Sequence, residues 1–493
     1  MQPGDACRDV HEDVAGYRGV FARFMIAHAG KPQRGRSFAP GEPMTTTADV
    51  IIAQPADRAA IRRAVLSCGV GQMFEIYDFV IYGFMAGALA KAFFPSDDPI
   101  AGLLSTFATF AVGFVMRPVG AVVIGAYGDR HGRRAALVVT IGLMAVATGV
   151  IGLIPSYSTL GLAAPVLLII CRMAQGFSTG GEWGGAAAFL VEYSPTKERG
   201  LISSYQQAAT ALGLLAATGM SLLLTSVMDA QTFNDGGWRI AFLVGFVLGP
   251  VGYYLRTQVA ETPAYERTVA TRTVERSPLR VTFANFSTPL LAAFGVSIIG
   301  CVLNYVFIIF LPSFAQQSLQ IPASATFLSA SIAGVIYLVG TPVTGALSDR
   351  VGRKTMFFAA SIGAILFSYP LFVLLVSMHS LTGLILTQAC ATVLLTMYTG
   401  PICAILAEMF PTNIRYTALS ISYGFAVAIF GGFAPFIATA LIKTTGNPLA
   451  PAFYVMFAGV LSFIATLFVR EGAGRPLPGE SAEVQGGLRE KLA

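Results

Sequence analysis

Gly125-Ala-Tyr-Gly-Asp129-Arg130-His-Gly132-Arg133-Arg134 and Gly345-Ala-Leu-Ser-Asp349-Arg350-Val-Gly352-Arg353-Lys354 are two copies of one polar turn, set 220 residues apart. A second turn is duplicated too: Glu192-Tyr-Ser-Pro195-Thr196-Lys-Glu-Arg199 returns 216 residues later as Glu408-Met-Phe-Pro411-Thr412-Asn-Ile-Arg415. Two different motifs repeated at nearly one offset mark an internal duplication, so the fold is to be read as two related halves. Parallel repeats in a membrane chain place a binding site between the halves, near the middle of the bilayer.

Around these turns the chain is a series of apolar runs. They cover roughly 64–93, 101–127, 135–155, 162–193, 201–228 and 239–255, then 288–315, 326–347, 355–377, 381–408, 417–442 and 451–469. A helix needs about 20 apolar residues to cross the hydrocarbon core, and the runs meet that length. Composition agrees: 55% of the 493 residues are hydrophobic and 12% charged, against about one-quarter charged in a soluble chain. The expected fold is an all-α polytopic membrane protein, twelve transmembrane helices in two six-helix pseudo-symmetric bundles. The expected division is a disordered tail at 1–60, a first bundle at 61–255, a linker at 256–287, a second bundle at 288–470 and a tail at 471–493.

Alternate turns carry the positive charge: Arg130, Arg133 and Arg134; Lys197 and Arg199; five arginines from Arg256 to Arg280; Arg350, Arg353 and Lys354; and Arg415. Such loops stay on the cytoplasmic side, which puts both termini inside a bacterial inner membrane. The other turns, such as the one with Asp97 and Asp98, hold few cations. The net charge of +6 therefore reads as a topology signal; it forms no stripe for nucleic acid. Cys68, Cys171, Cys301, Cys390 and Cys403 lie in or beside apolar runs without metal-ligand or C-x-x-C spacing, so neither a disulfide framework nor a metal site is expected. No Walker A loop, nucleophile elbow or ligand cluster is present, which argues against an ATP-driven pump, an enzyme or a bound cofactor. Residues 1–43 are polar and Pro-rich around one short apolar stretch broken by Arg23; they read as a tail or an over-extended start before Met44, with the first membrane helix acting as its own insertion signal.

The two G-x-x-x-D-R-x-G-R-[RK] turns resemble the signature of the major facilitator superfamily, and the resemblance runs from about residue 60 to 470. Gly71-Gln-Met-Phe-Glu75-Ile-Tyr77-Asp78-Phe79, Met116-Arg117-Pro118-Val-Gly120, Arg172-Met-Ala-Gln175-Gly176-Phe-Ser-Thr-Gly180-Gly181-Glu182 and Gly237-Trp238-Arg239-Ile240 are similar to the metabolite:proton symporters. That group includes carriers of citrate, tricarballylate, 2-oxoglutarate, shikimate and proline or betaine. This chain departs at Gln72, usually Asn, and at Ile76, usually aromatic. The segment after Arg470 lacks the heptads expected of osmosensing proline/betaine members.

Ionisable groups inside a membrane helix are costly unless paired or hydrated, so each is a functional candidate. Glu75 and Asp78, three positions apart, share a helix face, and one of them can hold a proton on one side of a cycle and release it on the other. Glu182 is the competing coupling acid; the bland alternative is a permanent ion pair with Arg117 or Arg172. Arg117 and Arg172 suit a substrate carboxylate through the guanidinium fork. Tyr77, Gln175, Gln206, Gln207, Asn304 and Gln388 are candidates for orienting hydrogen bonds or for plain interhelical contacts. Gly176-x-x-x-Gly180 and Gly181-x-x-x-Gly185 read chiefly as close helix packing. The duplicated turns read as a gate: Asp129 and Asp349 accept from neighbouring helix N-termini, Arg130, Arg133, Arg350 and Arg353 pair across the halves, and Glu192 with Arg199 and Glu408 with Arg415 join the same charge network.

The resemblance implies a proton-coupled secondary symporter working by alternating access. The preferred cargo is a di- or tricarboxylate such as citrate, from the interior arginines and the likeness of Gly125-Ala-Tyr and Ile429-Phe-Gly431-Gly432 to such carriers; another metabolite of the group, or proton-driven export, is the alternative. Substrate, protons and lipid are the expected partners, nucleic acid is not, and a monomer is expected to suffice.

Overall fold

The computed structural model describes residues 58–95, 99–257, 261, 262, 265, 266, 269, 275 and 277–478. Residues 1–57 and 479–493, Ser96, Asp97, Asp98 and most of 258–276 lie outside the described residues, and with them most of both expected tails and part of the expected linker.

Among the described residues, twelve long helical stretches follow one another, with shorter helices such as Ala86–Phe93 and Pro278–Asn285 between them. The first half holds α1 (Arg58–Phe84), α2 (Pro99–His131), α3 (Arg133–Leu153), α4 (Ala163–Tyr193), α5 (Arg199–Val227) and α6 (Arg239–Thr257). The second holds α7 (Ser287–Leu303, continuing to Leu311–Ser318), α8 (Ala323–Val351), α9 (Arg353–Met378), α10 (Leu381–Thr399, then Ile402–Ala407), α11 (Thr412–Ala426, then Ala434–Thr445) and α12 (Ala450–Leu467). Helices are what lipid permits, because each backbone N–H and C=O must find its partner within the segment. Among the described residues, eleven helices are long and apolar enough to cross a membrane. The exception is α4, 31 residues long, whose apolar run is broken by Arg172, Gln175 and Glu182, all of them buried. Its polarity is spent inward.

Two features place the site. In α7 and α11 the helix widens into π-helical turns at Asn304–Phe310 and Val427–Gly431, a local irregularity frequent at functional sites. In α4, a Cβ on Gly176 would lie 2.0 Å from the carbonyl oxygen of Gly113, and one on Gly180 would lie 2.0 Å from that of Arg117. Only bare backbone lets α2 and α4 approach so closely, and this holds Arg117 and Glu182 at fixed positions. The halves meet where α2 and α4 pack on α11 and where α5 packs on α8.

Both duplicated turns pivot on a glycine in the left-handed region, Gly132 at φ +103° and Gly352 at φ +97°. A side chain there is strained, and a Cβ would also fall 2.3 Å from a carboxylate oxygen of Glu261 or 2.8 Å from one of Glu471. Gly132→Ala and Gly352→Ala are each expected to cost at least about 1–2 kcal/mol. Gly142→Ala, whose Cβ would meet nothing within 4 Å, is the control for melting in detergent; equal melting of all three variants would contradict this account.

Candidate functional site

A narrow cavity of about 60 Å³ lies between the halves. Glu75 of α1 and Arg117 of α2 reach it from one side, 3.5 Å apart as an ion pair. Asn304 and Tyr305, at the π-helical turn of α7, reach it from the other. Aromatic rings make up much of the remaining wall: Trp183 of α4, Tyr337 of α8, Tyr398 of α10 and Tyr423 of α11. Trp183 and Tyr423, from opposite halves, stack with centroids 3.5 Å apart and planes 11° from parallel. The indole N–H of Trp183 has no partner among the described residues.

Next to the cavity, within the first half, runs a second polar chain. Arg172 donates from Nη1 to Gln175 Oε1 at 2.7 Å, and Gln175 Nε2 donates to Asp78 Oδ2 and, at 2.9 Å, to Thr148 Oγ1. The Arg172 guanidinium is enclosed by the rings of Phe79, Tyr82 and Phe110. Asp78 Oδ1 and Glu75 Oε2 are buried carboxyl oxygens with no partner among the described residues, and a proton on such an oxygen turns an unmet acceptor into a donor.

Of the residues read from sequence as substrate contacts, Arg117, Asn304 and Gln207 line the cavity. The Tyr77 hydroxyl donates to the Ala241 carbonyl at 2.9 Å. Gln206 donates to Gln72 at 3.3 Å and to the Trp183 carbonyl at 3.1 Å. Gln388 accepts from Ser329 and donates to the Phe307 carbonyl at 3.0 Å, inside the second half. The aromatic wall carried no sequence signal, because each helix contributes one ring and no two share a motif.

Glu182 is paired with Arg256 and with neither Arg117 nor Arg172, which corrects the pairing considered from sequence. Arg256 also donates to the Leu137 carbonyl and, at 3.3 Å, to Thr140 Oγ1. It stood at the head of the expected polar linker, yet α6 runs through Thr257 and buries it. The contact depends on Gly71, where a Cβ would fall 1.9 Å from Arg256 Nη2 and 2.5 Å from Glu182 Oε1.

At one end of the molecule the duplicated turns interlock. Asp129 accepts from the backbone N–H of Tyr416 at 3.2 Å and of Thr417 at 2.8 Å, near the start of α11. Asp349 accepts from those of Gly200 at 2.8 Å and Leu201 at 2.9 Å, at the start of α5. Arg133 and Arg353 each lie 2.7 Å from the aspartate four residues earlier. The glutamates are shared crosswise: Glu192 lies 2.7 Å from Arg415 and 3.5 Å from Arg133, and Glu408 lies 3.1 Å from Arg199 and 3.3 Å from Arg353. The sequence reading had joined Glu192 to Arg199 and Glu408 to Arg415, within one turn each. The exchange follows from packing: Arg199 opens α5, which leans on α8, while Arg415 lies near the start of α11, which leans on α2 and α4. Arg130 and Arg350 are exposed and stand outside this lattice.

Two further acids, missed from sequence, brace it. Glu261 accepts from the N–H of Arg134 at 3.1 Å, at the start of α3. Glu471 accepts from those of Arg353 and Lys354 at 3.0 Å each, at the start of α9. Burial pushes the Glu261 carboxyl above its usual range. Burial acts the same way on Glu471, but hydrogen bonds from the N–H groups of Ala473, Arg353 and Lys354 and the Arg353 charge outweigh it and hold the carboxyl below that range. A depressed carboxyl contributes stability above its unfolded value, so this brace is present at neutral pH and is lost as pH falls through the lowered value.

Two helical bundles around a shared, partly charged cavity, tied together at one end, are the architecture of a multi-pass membrane transporter. The family model described as Major Facilitator Superfamily matches residues 68–377 and, again, 293–492, and the chain belongs to that superfamily, within its metabolite:proton symporters. It is 36% identical over 435 residues to the "Proline/betaine transporter" of Escherichia coli (strain K12), covering 86% of each chain. It is 35% identical over 413 residues to the "Citrate-proton symporter" of Klebsiella pneumoniae, covering 82% of this chain and 91% of that one. The solved proton:xylose symporter XylE bound to 6-bromo-6-deoxy-D-glucose shares the fold, with a TM-score of 0.72 at 20% identity over 86% of this chain and 99% of that one.

Proposed function

We propose that this carrier imports a small zwitterionic carboxylate of the betaine or proline type together with a proton, by alternating access in a bacterial inner membrane. The observation that carries the reading is the cavity wall. Trp183, Tyr305, Tyr337, Tyr398 and Tyr423 surround a single Glu75–Arg117 pair. Aromatic faces attract an alkylated ammonium group, and a guanidinium holds a carboxylate, so the wall suits both ends of a zwitterion. A tricarboxylate would bring up to three negative charges to a cavity wall in which Glu75 already offsets Arg117. Citrate, preferred from sequence, remains the second reading, favoured by Arg117 in the wall and by the Klebsiella relative.

In this reading Glu75 or Asp78 takes the proton, and the latch of Asp129, Arg133, Glu192, Arg199, Asp349, Arg353, Glu408 and Arg415 closes the cytoplasmic side while the site opens outward. Both termini then face the cytoplasm, as the basic turns indicate, and a monomer suffices because both halves of the site lie on one chain. The test is uptake into proteoliposomes under an imposed pH gradient, with betaine, proline, citrate, tricarballylate, 2-oxoglutarate and shikimate as the panel. Betaine and proline are expected to accumulate and citrate to be excluded; accumulation of citrate with betaine refused would overturn the choice of cargo.

Arg415→Gln leaves Glu192 with the Arg133 guanidinium at 3.5 Å and the Thr262 hydroxyl at 2.5 Å. Loss of about 1.4 kcal/mol of latch stability would populate the state open on the cytoplasmic side about tenfold more. Cys301 lines the cavity, so its modification by a thiol reagent applied from that side should accelerate by the same factor, with Cys301→Ser as the blank. An unchanged rate would remove Arg415 from the gate.

A further inference from the structure

Phe79 of α1 is held between the two arginines of the site. Its ring centroid lies 4.5 Å from Arg117 Cζ and 4.8 Å from Arg172 Cζ. The ring is itself fixed edge-on against Phe110 and Phe114, with centroids at 5.8 and 5.5 Å. Each arginine belongs to a different acid: Arg117 pairs with Glu75 in the cavity wall, and Arg172 reaches Asp78 through Gln175. Both guanidinium groups are nearly fully buried, so water does little to screen their hold on the ring. Neither uses all its donors: Arg117 Nε and Arg172 Nε and Nη2 have no partner among the described residues.

We infer that Phe79 is a positioning residue that couples the proton on Asp78 to the substrate held by Arg117. This rests on the symport reading above. One aromatic ring serves two cations that repel each other, so a shift of either changes the attraction left for the other. The charged and titratable groups facing Asp78 are Arg172 and Cys171 of α4, and Glu75 and Tyr77 of α1; α3 contributes the neutral Thr148. When Asp78 gains a proton, the Gln175 amide loses a charged acceptor and Arg172 loses its counter-charge. The Arg172 guanidinium then settles further among its rings, Phe79 included, and Arg117 is released from Phe79 and Glu75 toward a substrate carboxylate. In this proposal the elements that move are the two guanidinium groups, and the fixed ring they share is what links one to the other.

Phe79→Leu keeps most of the apolar volume and removes the ring face, while Phe79→Tyr keeps the ring face and adds a hydroxyl. Betaine affinity and betaine counterflow are measured in proteoliposomes across a pH series for wild type and both variants. In wild type, one coupled proton changes the affinity by up to about tenfold per pH unit within the titration range. Phe79→Leu is expected to flatten that slope while counterflow persists, and Phe79→Tyr to restore it. A Phe79→Leu slope equal to wild type overturns the inference, as does equal loss of counterflow in both variants, which would make the ring only a packing element. If wild type neither binds betaine nor responds to pH, the symport reading itself fails and the inference with it.

Discussion

Asp78→Asn is expected to abolish uphill uptake and spare exchange. The side chain is fully buried, keeps one oxygen without a partner among the described residues, and does not line the cavity, so its amide can hold the Gln175 contact without disturbing the wall. A carrier whose coupling acid cannot titrate still rocks between its two faces with substrate bound, but the proton no longer travels with the cargo. A zwitterion moving with one proton carries one charge, and 100 mV supplies about 2.3 kcal/mol per charge, an accumulation of about fiftyfold. The variant should lose that factor under a membrane potential and retain wild-type betaine counterflow. Glu75→Gln should differ, because Glu75 forms the wall with Arg117 and its loss alters affinity as well as coupling. Undiminished accumulation by Asp78→Asn would pass the role to Glu75 or Glu182.

Arg256→Met should be among the most destabilising single changes in the first half. It strips Glu182 of its counter-ion at a site where both side chains are almost fully buried, and breaking one side of a buried pair costs about 3–5 kcal/mol, because the remaining charge has neither partner nor water. Removing both charges is far milder, since two apolar side chains avoid the desolvation problem altogether. Melting of purified protein in detergent should therefore fall steeply for Arg256→Met and recover in the double variant E182L/R256M. Gly71→Ala probes the same contact from the backbone, as its Cβ would collide with Arg256 Nη2. A single variant as stable as wild type would show that the pair carries no structural weight.

Much of the machinery was legible in the chain because lipid makes strong demands. Long apolar runs, alternating basic turns and two duplicated motifs lead to twelve helices in two related halves, since a spanning segment must be helical and sufficiently apolar along its own length. Asp129 and Asp349 were readable as helix-end acceptors for the same local reason. Arg256 was not: by composition it ends one apolar run and begins a polar stretch, and its burial becomes visible only once α6 lies against α1 and α3 and its side chain reaches Glu182 of α4.

Stretches of contiguous chain were enough to give the twelve helical runs, the twofold repeat and the polar residues that interrupt apolar runs, because each of these is a property of neighbouring residues along the chain. Which residues meet is settled in three dimensions. Glu182 finds Arg256 across 74 positions and Glu192 finds Arg415 across 223, and five rings from five helices close on one cavity. Pairing of buried charges depends on which helix faces lie together, and in a bundle that is settled by the packing of many side chains at once, where bare glycines let two helices touch and bulkier residues hold others apart.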